Sequence, residues 1–138
     1  MQPEQEEYQM KHNLMLTISS LLSILFMSFH HADDVVRGMA PGGFTNLVPV
    51  LFLVVWLYGT LALAGRRSGH IIILVVSLLA SGLPVVHMVG SGLVGGNIVK
   101  SGGAFFFVWT LIALGVTALF SVLLSARGLW SLRGGQSR

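Results

Sequence analysis

Four predominantly apolar runs, each close to the length needed to cross the hydrocarbon of a bilayer, constrain this chain more than anything else in it. Roughly 20 residues of helix span about 30 Å of hydrocarbon. The runs predict helices at about 13–37, 47–64, 71–89 and 104–126, the last continuing along the surface to Leu132. With 54% hydrophobic and only 9% charged residues among 138, the chain lies outside the soluble range, where about a quarter of residues are charged. The fold class that follows is all-α integral membrane, a four-helix transmembrane bundle in up-down-up-down order occupying residues 13–132. Residues 1–12 read as a polar cytoplasmic tail and 133–138 as a disordered one.

Connections and breakers agree with this division. Gly38 is a left-handed stop after Arg37, Pro41-Gly42-Gly43 makes a turn, and Thr45 or Asn46 caps helix two with Pro49 in its first turn. Only Gly65 to His70 separates helices two and three, so those two are antiparallel neighbours. Residues 90–103 form a glycine-rich loop, and Pro84 bends helix three near its end. Glu4, Glu6 and Glu7 stand where a secretory signal would carry positive charge, so the first segment is read as retained.

Orientation follows from lysine and arginine. Lys11, Arg66, Arg67, Arg127, Arg133 and Arg138 lie on one side, and Arg37 and Lys100 on the other. The excess places both termini in the cytoplasm of an inner or plasma membrane. The net charge of +3 forms no basic stripe interleaved with aromatics, which argues against nucleic acid. The absence of cysteine removes thiolate metal sites, covalent haem attachment and thiol redox chemistry from this chain.

Polar groups concentrate in Phe29-His30-His31-Ala32-Asp33-Asp34-Val35-Val36-Arg37-Gly38. His30 shares a helix face with Ser19, Ser20 and Ser23, and His87 shares one with Ser77, Ala80, Ser81 and Pro84, so both point at neighbouring helices. Helices one and three run the same way, which brings His30, His31, Asp34 and His87 to one outer face, together with Asn97 and Lys100. Asp34, four residues beyond His30, can accept the imidazole N–H and fix its tautomer. Asp33, Arg37 and Met88 are the candidate tuning groups. Imidazoles with a carboxylate suit zinc, manganese, iron or copper, Met27, Met39 or Met88 offers a thioether for Cu(I), and two facing histidines suit a b-type haem. The competing interpretation is a polar cap that hydrogen-bonds to headgroups and water.

Other patterns carry less. Gly90-Ser91-Gly92-Leu93-Val94-Gly95 satisfies GxGxxG but follows a membrane helix rather than a strand, and Gly95 to Ser101 has Val99 where a phosphate loop needs glycine. His12 and His70 have no acidic neighbour close by and read as solvated. Mid-membrane positions offer hydroxyls, Trp56 and Tyr58 but no acid or base for an ion-coupled carrier. No nucleophile-base-acid set emerges, so the chain is not read as an enzyme. Small-residue faces on three helices favour action through partners, as an accessory or scaffolding subunit or a homo-oligomer. The alternatives are an extracytoplasmic metal or haem protein using His30, His31 and His87, and small-solute or proton-linked transport by an oligomer.

Overall fold

The computed structural model describes residues 3–40, 42–89 and 102–134, with the backbone alone described for Met88, Val89 and Gly134. Pro41, the 90–101 segment with both glycine patterns, Asn97 and Lys100, the Met88 side chain and residues 135–138 therefore lie outside the described residues.

Helix α1 runs Pro3–Val36, a 3-10 turn Gly43–Asn46 leads into α2 Leu47–Leu61, α3 covers Arg67–Val89 and α4 Ala104–Gly134. No strand occurs among the described residues. All four helices are long and apolar enough to cross a membrane.

Helix limits differ from the sequence reading in instructive places. Residues 3–12, expected as a frayed tail, are the first turns of α1. Pro3 stands at the first helical position, and Glu4 and Glu6 face the positive end of the helix dipole. Glu7 bridges Lys11 one turn on at 2.5 Å, and Arg127 of α4 lies 5.4 Å above the Tyr8 ring. At the other end of the chain, Arg133, assigned to a disordered tail, belongs to α4. The α2–α3 connection is also tighter than expected. Helix α2 stops at Leu61, Gly65 adopts a positive φ of 71°, and α3 begins at Arg67, so His70 lies within its first turn. Gly69 lets the hairpin close: a Cβ there would stand 2.2 Å from the Leu63 carbonyl oxygen. Asn46 precedes α2 without a side-chain capping bond, and Thr45 donates instead to the Gly42 carbonyl.

Polar groups are inside and large apolar groups outside, the reverse of a water-soluble bundle. Ser20, Ser23, Thr60, Ser77, Thr110, Ser121 and Ser125 are buried, whereas leucines, valines and phenylalanines such as Leu25, Leu51, Val86 and Leu123 face outwards. Lipid tails are as apolar as leucine, so helices in a bilayer gain from close van der Waals approach and hydrogen bonds between them. Thr60 Oγ1 donates to the Trp56 carbonyl, so Ser20 must donate in the 2.7 Å Ser20–Thr60 bond joining α1 to α2. Ser19 Oγ donates to the Thr117 carbonyl at 2.9 Å and receives from Ser121 at 3.0 Å, joining α1 to α4. Each such bond contributes about 0.6 kcal/mol in a membrane. Leu16, Trp56, Ile73, Val76, Ala80, Leu114 and Ala118 fill the remaining core.

Candidate metal centre

Two faces of small and polar residues run the length of α1 and α3, and each carries a histidine at both ends. Along α1 the buried positions are His12, Leu16, Ser20, Ser23 and His30. Along α3 the corresponding series is His70, Ile73, Ser77, Ala80 and, half-buried, His87. His30 meets His87 at one end of the bundle, and His12 meets His70 at the other.

At the His30 end, His30, Asp34 and His87 each offer a ligand atom, all within 4.8 Å of one another. His30 is 2% exposed, and neither of its ring nitrogens has a hydrogen-bond partner. Its Nε2 lies 3.6 Å from Asp34 Oδ2, an ion-pair distance too long for a hydrogen bond, and the buried Asp34 Oδ1 is also unpartnered. His87 differs. Its Nδ1 is 2.9 Å from the Leu83 carbonyl, which can only accept, so Nδ1 carries the proton and the neutral ring keeps a lone pair on Nε2. This backbone bond fixes the tautomer, as it does for many metal-binding histidines. The cluster is thus under-satisfied: buried donors and acceptors usually have partners, and an absent ion or water is one reason they do not.

Asp33 and Arg37 sit beside the cluster. Arg37 Nε bonds Asp33 Oδ2 at 2.6 Å, and its guanidinium lies 5.8 Å above the Phe107 ring. That pairing removes Asp33 from the ligand set and leaves Asp34 to His30. Gly38 follows with φ 69°, the left-handed stop expected after Arg37. His31 does not join the converging set. One residue further along a helix turns a side chain by about 100°, which carries it off the His30 face.

Spacing discriminates between kinds of occupant. A nitrogen stands about 2 Å from its metal, so two imidazoles on one tetrahedral ion have ring centres roughly 5 Å apart, and opposed ones a little over 6 Å. The His30 and His87 rings are 4.8 Å apart and inclined at 75°, which suits tetrahedral chelation. A haem would need them opposed, with the macrocycle between. Fully buried Phe107 is packed 5.2 Å from the His30 ring and 5.6 Å from that of His87, so a porphyrin would require repacking, whereas a bare ion needs only that the ligand atoms, within 4.8 Å of one another, draw closer.

Sequence reasoning missed the second pair. His12 and His70, expected to be solvated, are 7% and 4% exposed. The cause is the extension of α1 to Pro3 and of α3 to Arg67, which puts both rings on the inward faces. Their helical spacing was the available signal: His12 falls on the same face as Ser20, Ser23 and His30.

No protein-family model, curated protein or solved structure matches this chain.

Proposed function

We propose that this is a small multi-pass membrane protein, a four-helix transmembrane bundle of up-down-up-down topology, that holds one divalent transition-metal ion through His30, Asp34 and His87. The observation that carries the proposal is the convergence of two imidazoles and a carboxylate from two helices at a place where His30 and Asp34 leave buried polar atoms unpartnered. Two nitrogens and one oxygen match zinc, iron, manganese or copper. Three protein donors leave a fourth position for water or a small ligand, as in sites where the ion does more than staple a fold. The lysine and arginine distribution favours an outward-facing centre with both termini in the cytoplasm.

Metal analysis of the detergent-purified chain, incubated with each ion and desalted, tests this reading. One equivalent of one ion is expected, lost in His30→Ala and His87→Ala. A wild-type chain that retains no stoichiometric divalent ion would end it.

A second reading, an accessory or scaffolding subunit or a homo-oligomer, draws on an open apolar groove of about 510 Å³ along α2 and α3, lined in part by Leu51, Phe52, Val55 and Val75. The small-residue faces that first suggested partners are largely occupied within the chain: Ser20, Ser77, Ala80, Ala118 and Ser121 are buried in it. Crosslinking in native membranes that yields only monomer would remove this reading.

A further inference from the structure

We infer that His12 and His70 form a second metal site, a two-coordinate seat for a single Cu(I) ion, at the end of the bundle opposite the first. The site is independent of the His30 centre. Both rings are more than nine-tenths buried, and His12 Nε2 and His70 Nδ1 have no hydrogen-bond partner. Two buried imidazoles in ring contact, each with an unpartnered nitrogen, need a water, a shared proton or an ion beside them.

The geometry separates this pair from the other. The ring centres are 6.3 Å apart, close to the roughly 6 Å expected when two imidazoles bind one ion from opposite sides. That distance is longer than a tetrahedral ion sets and longer than the 4.8 Å of the His30–His87 pair. Among the described residues no third histidine or acid joins His12 and His70, whereas Asp34 joins the other pair. Glu7, the nearest acid in sequence, is exposed and bridged to Lys11.

Charge then selects the ion. Zinc completes four ligands and hard divalent cations require oxygen donors, so neither is satisfied by two neutral nitrogens. Arg66, Arg67 and Arg127 lie at or near this end in sequence against Glu4 and Glu6, with Lys11 and Glu7 paired to each other, so no excess of carboxylate offsets a doubly charged guest. Imidazole binds copper well, and a monovalent d10 ion is content with two donors. The site also has a built wall. Gly128 of α4 presses on His70 so closely that a Cβ would stand 2.5 Å from Cε1 and 2.7 Å from Nδ1 of that ring. Glycine is therefore needed beside the very nitrogen proposed as a ligand.

The test uses the full chain in detergent carrying His30→Ala and His87→Ala, so that the first centre contributes nothing. This protein is titrated with Cu(I) under reductant against a chromophoric Cu(I) chelator. One equivalent is expected to bind, with X-ray absorption reporting two nitrogen neighbours. Adding His12→Ala or His70→Ala removes one of two ligands and is expected to weaken binding by more than the roughly 100-fold that loss of an outer hydrogen-bond partner can cost. Should those variants fail to give a monodisperse helical protein, His12→Met supplies a donor in the same place and is expected to replace one nitrogen neighbour with sulfur. Failure to bind Cu(I), binding unchanged without both histidines, or an absorption spectrum showing three or four ligands would overturn the inference. None of these results alters divalent binding by the wild-type chain, so failure here and failure of the proposed function are told apart.

Discussion

The two ends of this bundle use the same residue on the same pair of helices and differ in what surrounds it. At one end His30 and His87 approach to 4.8 Å, share Asp34 and stand over Phe107; at the other, His12 and His70 stand 6.3 Å apart against Gly128 with no acid joining them among the described residues. A carboxylate supplies negative charge and a third donor, so the first end suits a divalent ion. Its absence leaves the second with two neutral donors. On the proposed reading, one aspartate decides which charge each end can hold, and ring spacing decides the coordination number.

The largest expected effect breaks the comparison outright. His30→Ala with His87→Ala is expected to weaken divalent binding by roughly 100-fold or more while leaving Cu(I) uptake at the other end intact, read by equilibrium competition with metal-sensitive dyes. Loss of both together would show that the ends are not separate sites. Next in size, Gly128→Ala forces a methyl into the His70 ring, and overpacking of this kind costs about 1–3 kcal/mol. Thermal unfolding in detergent should fall and Cu(I) binding weaken, with divalent binding preserved. Asp34→Asn keeps the shape of the side chain and removes its charge, so divalent affinity should drop by about tenfold and Cu(I) affinity should not change. The smallest effect tests the region between the ends. Ser20→Ala removes the 2.7 Å bond to Thr60 and is expected to lower stability by about 0.6 kcal/mol, seen in detergent unfolding, with neither metal affinity altered.

The sequence made one end visible and hid the other, for a physical reason. His30 and Asp34 stand one helical turn apart inside an apolar run, and the face shared with Ser20 and Ser23 shows which way His30 points. His12 follows Lys11 and precedes Asn13, and His70 follows Arg66, Arg67, Ser68 and Gly69. Those neighbours look aqueous in a linear reading. Lys11, Arg66, Arg67 and Ser68 are exposed in the structure, yet α1 continues through Lys11 and α3 begins at Arg67, which turns the two imidazoles inward. Periodicity was the better guide there, and local polarity the worse one. In the sequence Phe107 is indistinguishable from its neighbours Phe105 and Phe106, because its place between His30, His87 and Arg37 depends on how α4 packs. The same holds for Gly128, whose necessity comes wholly from a ring on another helix.

Helix α1 runs from Pro3 to Val36 with no glycine and no proline after its first residue. His12 and His30 are about 27 Å apart along this single rod, close to the thickness of bilayer hydrocarbon. A rod without a hinge is a fixed spacer: it holds the two pairs of rings a hydrocarbon thickness apart, so neither end can borrow a ligand from the other.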